Sequence, residues 1–74
     1  MAGKPRTEPK HKIHFREWRL ARGLTQRAVA VWVGVGENTV SYWDNGRPPQ
    51  VHYLPDIAEL FECTIDQLFH PPSA

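Results

Sequence analysis

Apolar side chains recur at helical spacing along most of the chain, and residues typical of helix ends separate the apolar stretches. The first stretch predicts a helix from about Ile13 to Arg22, with Phe15 and Trp18 on its inner face. Gly23 follows directly and suits the C-cap position, where a left-handed backbone conformation is common. The pattern therefore predicts a short amphipathic helix.

Two further helices are predicted on either side of the sequence V-G-V-G, residues 33–36. The second helix covers residues 26–33, with Thr25 as its N-cap, and the third covers residues 37–44, with Gly36 in that position. Their inner faces are formed by Val29, Ala30 and Val33 in the second helix and by Val40 and Trp43 in the third. Two short helices joined by a glycine-containing turn are typical of a helix-turn-helix.

A fourth helix is predicted over roughly residues 54–62, after Pro48 and Pro49 exclude helix before it. Pro55 suits its first turn. Its buried stripe follows the i, i+3, i+4, i+7 pattern: Leu54, Ile57, Ala58 and Phe61.

The last predicted element is a turn of helix through Phe69, opened by a capping box between Thr64 and Gln67. No hairpin signal competes, and the strand-like run A-V-A-V-W-V lies between a helix cap and a helix stop. We therefore expect an all-α fold, a compact bundle of five short helices.

Composition divides the 74 residues into one small domain and two tails. Residues 1–12 hold two prolines, a glycine and few apolar side chains, which predicts a flexible basic arm that includes Lys4, Arg6, Lys10 and Lys12. Residues 13–69 form the predicted domain, and residues 70–74 form a disordered tail or the stub of a linker.

Charge is distributed unevenly, although the net charge is only +1. Residues 1–22 carry seven Lys/Arg against two acidic residues, residues 23–47 carry two of each, and residues 48–74 carry four acidic residues and no Lys/Arg. A domain polarised in this way presents its positive end to a polyanion, which favours nucleic acid among the partners.

The outer face of the third predicted helix carries side chains that suit base recognition: Glu37, Asn38, Ser41 and Tyr42. Asn pairs bidentately with adenine, Glu accepts from cytosine, and Ser or Tyr reaches a base or a phosphate. The alternative is that these are ordinary solvated positions. The turn before the helix favours base reading in the major groove.

The motifs L-A-R-G-L-T-Q, A-x-x-V-G-V, E-N-T-V-S-Y-W-D-N-G and L-P-D-I-A-E-L-F resemble the Cro/C1-type (XRE-like) helix-turn-helix domain of phage repressors and bacterial regulators. The resemblance covers about residues 13–69 and implies a lambda-repressor-like fold that binds double-stranded DNA through the third helix, the recognition helix. It also implies a DNA phosphate-binding set around that helix: Thr25, Gln26, Arg27, Asn45 and Arg47. A salt bridge between Arg19 and Asp44 is implied as a structural pair.

The chain departs from this family's habits at several positions. Gly36 stands where Ser or Thr usually caps the recognition helix. Glu62 stands where glycine often follows the fourth helix, which predicts either a different turn or strain of about 1 kcal/mol. Three apolar residues occupy positions that are usually polar: Leu20, Val31 and Trp32. They predict a cover, which is the arm, a protein partner or a further domain. The alternative function is thus a protein-interaction module that keeps the helix-turn-helix shape.

Enzymatic and metal sites find little support. The sequence H-K-I-H, residues 11–14, lies among lysines and has no nearby set of cysteines or carboxylates, and V-G-V-G lacks the lysine and strand of a phosphate loop. Cys63 has no basic neighbour in sequence, and a lone thiol predicts a reduced residue of a cytoplasmic protein. We expect no enzyme activity, no cofactor and a weak homodimer on DNA, with Leu60, Phe69 and His70 as candidate contacts.

Overall fold

The computed structural model describes residues 12–72, and the part of the chain within these bounds is helical without strands. Four α-helices follow one another: α1 Phe15–Ala21, α2 Gln26–Val33, α3 Glu37–Asp44 and α4 Leu54–Phe61. Two 3-10 turns, Val51–Tyr53 and Asp66–Phe69, complete the fold. In residues 12–72 no helix has the length and apolar character that spanning a membrane requires. The all-α prediction is confirmed.

The prediction of five helices needs one correction, because the last element is a 3-10 turn. The predicted capping box forms, since Thr64 N donates to Gln67 Oε1 at 2.8 Å and Gln67 N donates to Thr64 Oγ1 at 3.0 Å. Beyond it the backbone makes i→i+3 bonds, from Leu68 N to Ile65 O at 3.1 Å. A 3-10 turn needs fewer residues than an α-helix, and only four are available here.

The first helix begins later than its apolar pattern predicts. His14 N donates to Leu68 O at 2.9 Å, which ties the residues before Phe15 to the C-terminal turn. Trp18 Nε1 donates to the carbonyl oxygen of His70 at 2.9 Å, so a residue assigned to the tail from sequence contacts the domain. These two bonds join the ends of the described chain and fix α1 over the core.

The core lies where α1, α3 and α4 converge. Phe15 packs edge-on against Trp43 with ring centroids 5.5 Å apart and against Phe61 at 5.4 Å. Ile57 and Phe61 are fully buried, as the stripe of α4 predicts. Full burial of one such side chain contributes about 1.5–3 kcal/mol, so a few aromatic contacts hold a small domain together. α2 packs against both α3 and α4.

The end of α4 has an unusual cap. Glu62 adopts φ 58° and ψ 49°, the left-handed conformation, where glycine was expected. Arg22 Nε donates to Phe61 O at 2.6 Å, and its guanidinium lies 5.3 Å from the centre of the Trp18 ring. A cation at a helix C-terminus compensates the carbonyl groups that lack helical partners. Burial raises the pKa of the Cys63 thiol, and the charge of Arg22, distant in sequence, opposes that rise.

Candidate nucleic-acid interface

The turn between α2 and α3 is built on a glycine. Gly34 adopts φ 89°, and its N–H, like that of Val35, donates to Ala30 O, at 2.8 and 3.0 Å. Only glycine adopts such a positive φ without steric cost. The chain therefore stops α2 sharply, and α3 leaves at an angle with Val40 and Trp43 buried beneath it.

Of the four residues predicted to read bases, Asn38 and Tyr42 lie on the side of α3 opposite its buried residues, and Glu37 and Ser41 lie on its flank. Glu37, Asn38 and Tyr42 are exposed, and Ser41 is half-buried. Within residues 12–72, the side chains of Glu37 and Asn38 make no hydrogen bond, so their polar atoms remain available to a partner. Thr39 N donates to Gly36 O at 3.1 Å, whereas the N–H groups of Glu37 and Asn38 have no acceptor within the helix and suit an anion.

Gly36 has a regular backbone, with φ −76° and ψ 156°, so its conformation does not require glycine. Its importance is space: a Cβ placed there lies only 2.8 Å from Asn38 Oδ1. The Asn38 amide therefore folds over the start of α3, in room that a larger residue at position 36 would take. Gly36 makes no side-chain cap, in contrast to Thr25, whose Oγ1 accepts from Ala28 N at 3.0 Å.

The opposite end of α3 is fixed by Asp44, whose side chain is 1% exposed. Arg19 donates to both carboxylate oxygens, from Nε to Oδ1 at 3.1 Å and from Nη2 to Oδ2 at 2.6 Å. Arg16 Nε lies 3.8 Å from Oδ2. Burial by itself raises the pKa of Asp44, but the hydrogen bonds from Arg19 and Gln26 and the charges of Arg19 and Arg16 outweigh it, so the pKa lies below its usual value.

Gln26 has a structural role that the sequence did not reveal. Its Nε2 donates to Asp44 Oδ2 at 2.9 Å, which links the first turn of α2 to the last turn of α3. One amide N–H is therefore engaged inside the protein, and the second has no partner within residues 12–72. Thr25 and Arg27, which flank Gln26, are exposed.

In the loop after α3, side-chain groups are available to a partner, whereas the backbone N–H groups are already bonded. The backbone N–H groups of Asn45, Gly46 and Arg47 all donate to carbonyls at the end of α3, at 3.0–3.2 Å. Asn45 Nδ2 also donates to Ser41 O at 2.8 Å. The guanidinium of Arg47 lies 5.0 Å from the centre of the Tyr42 ring, a cation–π contact that leaves its N–H groups exposed.

Comparison with known protein families matches the chain to the helix-turn-helix domain over residues 13–69, which include all four α-helices. The chain belongs to this helix-turn-helix family. The match is of the Cro-like (XRE) kind that the motifs indicated. No curated protein and no solved structure matches the chain significantly.

The helix-turn-helix domain has a cationic edge that sequence analysis located only in part. Lys12 and Arg16 line a recess together with Asn45 and Gly46, directly beside the end of α3. The Arg16 side chain is 59% exposed. Its spacing from Arg19, three residues along α1, was a usable signal that the two arginines share a face. The other arm residues of the prediction, Lys4, Arg6 and Lys10, lie outside the described residues.

The three apolar residues at usually polar positions are exposed in the helix-turn-helix domain. Val31 is 74% exposed, Leu20 60% and Trp32 47%. Val31 and Trp32 lie on the outer face of α2, away from Val29 and Ala30, which are buried. The candidate dimer residues differ from one another in exposure. Leu60 and Phe69 are half-buried, whereas His70 is exposed.

Proposed function

We propose that this helix-turn-helix domain binds double-stranded DNA with sequence specificity, as part of a transcriptional regulator of the repressor type. α3 enters the major groove, and Glu37, Asn38 and Ser41 face base edges. Asn38 offers one donor and one acceptor and is suited to adenine, whereas Glu37 is suited to the amino group of cytosine.

The observation that carries this proposal is the division of α3 into a fixed side and a free side. Val40, Trp43 and Asp44 are buried, and they hold the helix to α1 and α2. Glu37 and Asn38 are exposed in the first turn of the helix, with unpaired polar atoms. A rigid helix with free polar groups on one face can make directional contacts without first breaking internal ones.

Tyr42 belongs with the backbone-binding residues rather than with the base-reading ones. Its ring carries the guanidinium of Arg47, 5.0 Å from the ring centre. Arg47 and Tyr42 thus act as a pair at the edge of α3, where Arg47 binds a phosphate. Lys12 and Arg16, beside Asn45, extend the same edge, and Thr25, Gln26 and Arg27 supply the phosphate contacts at the start of α2.

One recognition helix reads only about half a site, and two copies bound one helical turn of DNA apart read the whole. We infer a homodimer that is weak without DNA. Acidic residues on and after α4, Asp56, Glu59 and Glu62, repel across a two-fold axis formed by this part of the domain.

A selection from a randomised double-stranded DNA pool tests the proposed function. We expect enrichment of a short site whose most constrained base pair changes when Asn38 is replaced by Ala. Asp66→Ala, at an exposed acidic residue in the C-terminal 3-10 turn, serves as the control and should enrich the same site as the unchanged protein. A pool without enrichment, at low salt and with folded protein, contradicts the proposal.

The exposure of Val31 and Trp32 favours a second candidate, a module that binds another protein through α2. In that case Trp32→Ala abolishes partner binding and the DNA pool shows no enrichment. If the Trp32→Ala variant selects the same DNA site as the unchanged protein, the result favours the DNA-binding function.

A further inference from the structure

An apolar groove lies beside the end of the recognition helix, with a cavity volume of about 240 Å³. Its floor is made of core residues, since Phe15 is 2%, Trp43 6% and Leu54 8% exposed. Because buried side chains in a packed core hold their positions, the floor is preformed. Val51, which is 79% exposed, forms one wall.

Two cations and no acidic side chain are among the described residues that line this groove. Lys12 comes from the segment before α1 and Arg47 from the loop after α3. An apolar floor with two cationic residues in its lining fits a ligand with an apolar body and one negative group. We propose that the groove binds a small organic carboxylate with an aryl or alkyl body, its carboxylate between Lys12 and Arg47.

The size and charge of the groove argue against other occupants. Sites for drug-sized ligands measure about 300–1,000 Å³, so this groove takes a smaller molecule. Residues 1–11, M-A-G-K-P-R-T-E-P-K-H, are rich in cations and poor in apolar side chains, and they match neither the floor nor the rim. A polar anion such as free phosphate gains nothing from the apolar floor.

The groove adjoins the part of the domain that holds α3. Trp43 belongs to α3, and Gly46 and Arg47 follow it, so a ligand here contacts the recognition helix from its inner side. Its carboxylate neutralises Arg47, a phosphate-binding residue of the proposed function. Ligand binding therefore weakens DNA binding; this consequence rests on the proposed function, whereas the ligand site does not.

The test is a titration of ¹⁵N-labelled protein with 4-phenylbutyrate, followed by NMR. We expect the Trp43 indole N–H and the Gly46 amide to shift, with a Kd on the order of 1 mM for so small a ligand. The uncharged analogue 4-phenylbutanamide should bind at least about fivefold more weakly, because it lacks attraction to the two cations. Equal affinity for the acid and the amide, or shifts centred on Trp32, overturns the proposal.

Two variants locate the site. Val51→Glu places a carboxylate in the groove wall and should weaken 4-phenylbutyrate binding at least about fivefold. Val31→Glu adds the same charge at a valine of similar exposure on α2 and should leave the affinity unchanged. Equal effects of the two substitutions overturn the proposal, as does a Val51→Glu protein that sediments as a smaller species, which identifies a second copy as the occupant. The comparison of acid and amide uses the unchanged protein and stands even if a variant unfolds.

The coupling between ligand binding and DNA binding is measured separately. DNA affinity is determined with saturating 4-phenylbutyrate and, for comparison, with the same concentration of the amide. Weaker DNA binding with the acid is expected, and equal binding contradicts the coupling. Absence of DNA binding under all conditions refutes the proposed function and leaves the NMR result on the ligand site intact.

Discussion

The two ends of α3 are held in different ways. At its C-terminal end, Asp44 is bound by Arg19 and Gln26, and Asn45 closes the helix through Ser41 O. At its N-terminal end, Gly36 provides no side-chain cap, and the exposed Asn38 amide folds over it. One end thus sets the orientation of the helix, and the other keeps its polar groups for a partner.

This difference predicts that residues at one end of α3 determine the stability of the domain, whereas residues at the other end determine binding. A buried pair gives little net stability compared with apolar packing, but removal of one partner leaves a buried charge unpaired. Exposed polar groups without internal partners contribute little to folding. Substitutions at the C-terminal end should therefore unfold the domain, whereas those at the N-terminal end should change binding only.

The largest effect is expected from Asp44→Ala. It leaves the Arg19 guanidinium without its carboxylate and should lower the free energy of unfolding by about 3–5 kcal/mol. The matched control is Glu37→Ala, at the other end of the same helix, which should lower it by less than about 1 kcal/mol. Urea unfolding followed by circular dichroism measures both, and losses of equal size would show that the two ends do not differ.

Acid should weaken the same end of α3. Because the pKa of Asp44 is lowered in the folded protein, its contribution to stability is present above the unfolded value of about 3.9. It is lost as pH falls through the lower, folded value. The difference in unfolding free energy between the unchanged protein and Asp44→Asn should thus shrink below about pH 4. A difference that stays constant from about pH 6 to about pH 2 would exclude this role for the carboxylate.

Local signals in the sequence were sufficient to predict α2 and α3, the helices on either side of the turn. The bounds of α2 and α3 follow from Thr25, Gly34 and the apolar period, because caps and glycines act on neighbouring residues. The 3-10 turn Val51–Tyr53 was missed, because two prolines mark a break but do not predict a single turn after it. The predicted start of α1 was wrong, because the residues before Phe15 are held by the bond from His14 N to Leu68 O, which lies far along the chain.

The site was predicted in the same uneven way. The outer face of α3 follows from helical periodicity alone, so Glu37, Asn38 and Tyr42 were placed correctly on the surface. The bond from Gln26 to Asp44 spans 18 residues, and the bond from Arg22 to Phe61 O spans 39. Such contacts depend on how helices pack, which no local pattern encodes. The apolar groove, built from separate segments of the chain, was inaccessible to sequence for the same reason.

The basic arm, residues 1–12, should affect DNA affinity through phosphate contacts alone. Deletion of residues 1–12 should leave the fold intact and weaken binding at low salt. It should also flatten the dependence of log affinity on log salt, by about 0.9 for each phosphate that the arm neutralises. Lys12→Ala should flatten it by about 0.9. An unchanged slope after the deletion would identify the arm as a bystander.

The smallest effect on stability is expected at Gly36. Gly36→Ser adds a cap and should stabilise by a few tenths of a kcal/mol, whereas Gly36→Ala should destabilise by about 0.5–1 kcal/mol. Both place a Cβ near Asn38 Oδ1, so both should move the amide and change the preference at one base pair. If base preference follows stability instead, with opposite changes in the two variants, space beside Asn38 is not what matters.

The most direct measurement is a binding profile over a library of DNA sites for Asn38→Ala and Arg47→Ala, with folding checked by circular dichroism. Asn38→Ala should lose about 1–3 kcal/mol on the preferred site and relax the preference at one base pair. Arg47→Ala should weaken binding to all sites about equally and preserve their ranking. A ranking preserved by Asn38→Ala but changed by Arg47→Ala would contradict the assignment of Asn38 to base reading and of Arg47 to phosphate binding.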